Sequence, residues 1–169
     1  PSGVGVTRDG ALILTADRDS NQVSIIDAMT LQRVSIVPVG ERPFGITIDA
    51  EGKRAYTANV KTDDVSVIDL AGRKVVTTIK VGHTPYAVAL AGGKAFVSDQ
   101  HASTVSVIDL ATNTVLKAIP TGEFPEGIET DPGGRYVYVA CWDANTLEKI
   151  DAQTLEIAGK ATVGVFEAA

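Results

Sequence analysis

The chain has 169 residues, 44% of them apolar and 21% charged, with a formal net charge of −6 and a sequence pI near 4.8. That is enough apolar chain to bury a core, which excludes disorder as the general state, and an acidic balance without a lysine or arginine cluster argues against a nucleic-acid face. No apolar run approaches the roughly 18–20 residues of a membrane helix, no basic and apolar leader opens the chain, and the lone Cys141 excludes an internal disulfide or a zinc site of clustered cysteines.

The predicted elements come in four units, 1–42, 43–84, 85–124 and 125–166. Unit 1–42 opens on Pro1, as a mature form or a fragment of a longer chain does, carries Ile26-Asp27 and ends on Val39-Gly40. Unit 43–84 shows the pattern in full. Gly45 to Ile48 alternates, Asp49-Ala50-Glu51-Gly52 turns, and Ala55 to Asn59 runs back. Val65 to Leu70 is a third strand and Lys74 to Val81 a fourth, rich in Val, Ile and Thr as strands prefer. Unit 85–124 repeats this with Ile108-Asp109 and Thr121-Gly122, and is two residues shorter between Pro85 and Gly92, where a Gly-rich turn absorbs the deletion. Unit 125–166 closes the series with Ile150-Asp151 and Val163-Gly164. The Ile-Asp steps recur at intervals of 42, 40 and 42 residues. No window keeps an apolar face at helical spacing for a helix's length, so the fold class is all-β.

Four-stranded antiparallel units of this length cannot bury their own faces and stack side by side as blades of a β-propeller. The run Asp49 to Asn59, then Asp64-Val65-Ser66-Val67-Ile68-Asp69, then Val81-Gly82, resembles the YVTN β-propeller repeat, with Tyr56-Thr57-Ala58-Asn59 in the place that names the family. The resemblance covers all four units. It implies a surface-layer or periplasmic type of protein, in a periplasmic, extracellular or cell-surface setting. The chain is expected to be a single propeller domain over 1–169 or part of one, with four blades that form an arc of a seven- or eight-bladed ring. The arc is expected because no strand at one terminus completes a blade begun at the other; a closed four-bladed ring and a dimer making eight blades are the alternatives.

Aligned columns separate scaffold from candidates. Leu14, Tyr56, Phe96 and Tyr138 share a column that fills the space between blades. Asp27, Asp69, Asp109 and Asp151 precede turns and accept their backbone N–H groups. Pro1, Pro43, Pro85 and Pro125 fix the start of the innermost strand.

In the strand order of the resembled family, one mouth of the channel is built by two kinds of loop: the link from one blade to the next, and the loop between the second and third strands. Loops on a rigid scaffold are where binding residues concentrate. The candidate binding residues are Asp17, Arg18, Arg42, Asn59, Lys61, His83, Asp99, His101, Glu123, Cys141 and Trp142. The fourth unit departs furthest, since Asp17, Asn59 and Asp99 give way to Cys141, followed by the only Trp. That pair reads as a nucleophile, a soft metal ligand or a recognition platform, or as a small buried Cys with an indole packed over it. A nucleophile needs a base, and His83 and His101 are the two available, with His101 in the unit adjacent to that of Cys141.

No catalytic residue, metal or cofactor is assigned. Asp17 with Asp19, or Asp63 with Asp64, would bind calcium only where several oxygens converge. The expected function is non-catalytic binding of a protein or small molecule at the channel mouth, without nucleic acid or a membrane span, and with self-association or association with the rest of the propeller. The alternative is a propeller enzyme or enzyme subunit. Its versions are a lactonase-like hydrolase, with Asp17, Asn59, Asp99 and His101 around a cation, and a periplasmic redox, dehydrogenase or haem-associated subunit.

Overall fold

The alternating segments form sixteen strands in a computed structural model that describes residues 1–164. Blade 1 holds β1 (Val4–Val6), β2 (Leu12–Asp17), β3 (Gln22–Asp27) and β4 (Arg33–Pro38); blade 2 holds β5 (Pro43–Ile48), β6 (Arg54–Asn59), β7 (Asp64–Asp69) and β8 (Lys74–Lys80). Blade 3 holds β9 (Pro85–Ala91), β10 (Lys94–Asp99), β11 (Thr104–Asp109) and β12 (Thr114–Pro120); blade 4 holds β13 (Pro125–Thr130), β14 (Tyr136–Cys141), β15 (Thr146–Asp151) and β16 (Glu156–Thr162). Each blade is one antiparallel sheet with its strands in sequence order. Residues 165 and 166, the end of the fourth predicted unit, lie outside the described residues.

Turn chemistry sets the register. Between third and fourth strands the aspartate column does what its position predicts. Asp27 Oδ1 accepts from the N–H groups of Met29 and Thr30, and Asp109 and Asp151 repeat this with Ala111 and Thr112, and with Gln153 and Thr154. Those donors hold the Asp27, Asp109 and Asp151 carboxyls below their ordinary range. The short third unit turns through Gly92 and Gly93, both at positive φ (53° and 74°), so the deletion leaves β9 and β10 in register.

The core lies between blades. Leu14 and Ile25 of blade 1 pack with Ala55 and Ile68 of blade 2; Tyr56 and Val67 pack with Ala95 and Ile108 of blade 3; Phe96 and Val107 pack with Val137 and Ile150 of blade 4. The predicted column thus fills each gap. Tyr138 differs, because no further blade packs on its side of blade 4 among the described residues, and it is half-buried. Blade 1 shows the complementary free face: Val4 is 66% exposed, against 8% for the equivalent Ile46. The inner strands β1, β5, β9 and β13 together line a cleft of about 510 Å³.

Candidate functional site

The two kinds of loop meet at one end of the blades and are bonded to each other through the backbone. Val60 and Lys61 donate to the carbonyls of Arg42 and Glu41 (both 3.1 Å), Gln100 and His101 to those of Thr84 and His83 (2.9 and 3.2 Å), and Trp142 to that of Phe124 (2.9 Å). The link residues Arg42, Thr84 and Phe124 all adopt left-handed backbone, with φ of 55°, 59° and 53°. Two of their N–H groups are capped from the preceding blade: Arg42 N donates to Asn21 Oδ1 (2.9 Å) and Thr84 N to Asp63 Oδ1 (2.8 Å). The bond to the carbonyls of Arg42, Thr84 and Phe124 recurs from blade to blade, while the side chains carried outward differ.

The predicted column at the end of the second strand turns inward. Asn59 and Asp99 are fully buried, Cys141 is 2% exposed and Asp17 is half-buried. Three of the four are bonded within their own blade to a residue of the third strand. Ser24 donates to Asp17 (2.6 Å), Asn59 Nδ2 donates to Ser66 (2.9 Å) and to Asp64 (2.7 Å), and Ser106 donates to Asp99 (2.6 Å). The constellation Asp17, Asn59, Asp99 and His101 is therefore not assembled around a common point, and no group of three His, Cys, Asp or Glu suited to a metal occurs among the described residues. The variation in this column belongs to the scaffold. Burial pushes Asp99 up to about 6, and its Oδ1 is buried without a partner.

The partners missed in the sequence were Ser24, Ser66, Ser106 and Glu148, a column of the third strand. The signal was available: three serines and then a glutamate in the very unit where the second-strand carboxylate becomes Cys141. Glu148 Oε1 accepts from Gly122 N (3.1 Å), as Ser106 Oγ accepts from Gly82 N (3.2 Å), and pairs with Lys160 (2.9 Å). Burial pushes the Cys141 thiol up, and the Glu148 carboxylate pushes it further. Cys141 is buried, while the Trp142 indole beside it is 67% exposed.

Arg42, Lys61, His83, His101, Glu123 and Trp142 are exposed at the mouth, and Arg18 is half-buried there. Arg18, Arg42, Lys61, His83 and His101 line one open cleft of about 410 Å³, with Thr84 and Asp63 in its wall. Arg18 lies over the Phe44 ring, 5.7 Å from its centroid, and Lys61 pairs with Glu41 (3.1 Å). From the cleft an aromatic series runs outward: His83 stacks on His101 (5.5 Å between centroids), His101 meets Phe124 edge-on (5.5 Å), and Phe124 meets Trp142 edge-on (5.9 Å). The Thr84 hydroxyl lies 3.2 Å from His83 Nδ1 and 3.0 Å from His101 Nδ1. It has one proton, so with both rings neutral it donates to one ring and accepts from the other, and the two imidazoles take opposite tautomers.

Comparison with known proteins agrees with this architecture. The model of the YNCE-like beta-propeller matches residues 4–93. No curated protein matches the chain. Among solved structures, Kuenenia stuttgartiensis hydrazine synthase is similar with a TM-score of 0.91 and 22% identity, over 96% of this chain and 49% of that one. A functionally unknown protein from Desulfotomaculum acetoxidans DSM 771 is similar with a TM-score of 0.84 and 18% identity, over 97% of this chain and 56% of that one. At such identities the likeness is one of fold. This chain spans about half the length of either structure. With the family model covering more than half of its residues and four propeller blades in the fold, the chain belongs to the YNCE-like beta-propeller family.

Proposed function

We propose that this chain is a non-catalytic binding module that takes its ligand on the loop face at one mouth of the propeller, in an exported setting. One observation carries the reading. In blades 2, 3 and 4 the link and the second-to-third-strand loop are joined by one recurring backbone bond, from Val60, Gln100 and Trp142 to the carbonyls of Arg42, Thr84 and Phe124, yet beside it they present Glu41 with Lys61, His83 with His101, and Glu123 with Asp143. A fixed platform with changing side chains is what recognition requires, because the backbone ordering is already complete before a ligand arrives. The chemistry of Cys141 favours binding over catalysis, since a buried thiol pushed upward is a poor nucleophile. The uncovered faces of blades 1 and 4 support association with further propeller blades.

The test is amide chemical-shift mapping of this chain against a mixed library of small molecules, charged and neutral. The reading expects shifts concentrated in residues 41–44, 60–63, 83–86, 100–103 and 123–126. Shifts confined to the inner-strand cleft or to the opposite ends of the blades would overturn it.

A further inference from the structure

We infer that the cleft between Arg18, Arg42, Lys61, His83 and His101 is a site for a small multivalent oxyanion, a polycarboxylate or a phosphate compound. The inference rests on the loop-face reading and gives it a ligand class.

The charge pattern comes first. The chain as a whole is acidic, with a net charge of −6. In this cleft, however, three cationic side chains from two successive blades converge with both histidines of the molecule. The salt bridges among the described residues engage Lys61, Lys80 and Lys160, so neither Arg18 nor Arg42 is spent on a carboxylate of its own. Asp63 is the one acid in the wall, and its Oδ1 accepts from Thr84 N. A cation kept near a low-dielectric wall without a counter-ion is costly unless a ligand supplies the charge. Arg18 fits that description: its Nε is buried without a hydrogen-bond partner and its guanidinium is held over Phe44.

Geometry brings the side chains of the link to the same mouth. Left-handed backbone suits Gly or Asn, although ordinary L residues also hold it in the turns between third and fourth strands, at Leu31, Arg73 and Leu155. The loop column that shares this conformation carries Asn21, Asp63 and Asn145, with Ser103 in blade 3. The link column instead carries Arg42, Thr84 and Phe124, and these three serve the mouth. Arg42 lines the cleft, Thr84 ties the two imidazoles together, and Phe124 backs His101.

The Thr84 hydroxyl fixes what the imidazoles offer. With Nδ1 of each ring turned to that hydroxyl, Nε2 of each lies on the opposite edge. In the neutral pair one ring presents an N–H there and the other a lone pair. A guanidinium fork beside an Nε2–H donor is the donor set that carboxylate and phosphate oxygens take, and a multivalent anion can engage both arginines at once.

Calorimetric titration of the chain with pyrophosphate and, separately, with citrate tests the site. Binding of either is expected, with at least about tenfold weaker affinity in the Arg18→Gln/Arg42→Gln double variant. The Lys53→Gln/Lys117→Gln variant, which removes the same charge elsewhere, is expected to leave it unchanged. Binding of pyrophosphate alone identifies a phosphate ligand, and of citrate alone a polycarboxylate. Should the double variant not fold, the single exposed Arg42→Gln is expected to lower affinity as well. Absence of binding of both anions at millimolar concentration, or equal losses in both double variants, overturns the site. Shifts at the mouth from neutral library members together with no anion binding would leave the loop-face reading standing and sink the anion class alone.

Discussion

Cys141 and Glu148 stand in blade 4 where Asp99 and Ser106 stand in blade 3, so the buried carboxylate has crossed from the second strand to the third. The task is the same in both blades: a side-chain oxygen of the third strand receives the N–H of the glycine in the link that leads into that blade, Gly82 for blade 3 and Gly122 for blade 4. Once Glu148 performs it, position 141 needs only a small side chain that tolerates burial, and a thiol is one.

The first prediction follows from that relationship. Native Cys141 should react with an aromatic disulfide reagent at mildly alkaline pH about 100-fold more slowly than the urea-unfolded chain, because reaction waits on local opening. Burial and Glu148 both keep the thiol protonated. Absorbance of the released thiolate reads the rate. Equal rates in native and unfolded protein would show an exposed thiolate and reopen a nucleophilic role.

Asp99 gives the second. Its pKa is pushed up to about 6 by burial, above the unfolded value near 3.8, so between those values the folded state holds more protons than the unfolded one. Stability on this account falls as pH rises from about 4 through 6, by a total of roughly 2–3 kcal/mol. Asn59 shows the neutral alternative in the neighbouring blade, donating to Ser66 from the same place. Asp99→Asn should therefore stabilise the protein at pH 7 by about 1–3 kcal/mol and flatten that part of the pH profile. Urea denaturation at pH 4.5 and 7 measures both; an unchanged slope would mean that Asp99 is not the titrating group.

How much of this was legible in the sequence depends on what kind of constraint each residue obeys. The Ile-Asp and Val-Gly steps are fixed by turns and close approaches that act within one blade, and such local demands repeat visibly; the strands fall where they predict. The direction of the side chains at Asn59, Asp99 and Cys141 was not legible, because variation in a column looks the same whether a ligand or a buried neighbour causes it. Only their pairing with Ser66, Ser106 and Glu148 shows the cause, and that pairing crosses strands. The cleft was half legible: Arg18, Arg42, Lys61, His83 and His101 were all candidates, while their grouping apart from Glu123 comes from the arrangement of blades.

The third prediction concerns the glycine of the link. A Cβ on Gly82 would stand 2.5 Å from Asp99 Oδ2 and 2.6 Å from its Cγ, nearer than atoms in van der Waals contact allow. Asp99 is enclosed and cannot swing away, so Gly82→Ala should cost about 1–3 kcal/mol, read as a lowered urea midpoint. A midpoint within error of the parent would mean that the link can lift from the blade, and the fixed platform argued for the mouth would fail with it.

The fourth compares two members of one column. Phe96 is fully buried between blades 3 and 4, and Phe96→Ala should cost about 3–5 kcal/mol through lost transfer energy and the cavity left behind. Tyr138 occupies the same column one blade later, on the free face, where Lys149 replaces the buried Ile25, Val67 and Val107 of the earlier blades. In the chain alone Tyr138→Ala should cost about 1 kcal/mol or less. Covering by a second copy would raise that cost toward the Phe96 value and make the unfolding midpoint rise with protein concentration, since association then contributes to stability. Denaturation of both variants at two concentrations a hundredfold apart, with the mass in solution measured by light scattering, separates the cases. A large, concentration-independent loss in Tyr138→Ala at monomer mass would overturn the open arc, because only a blade of the same chain could then be covering that face.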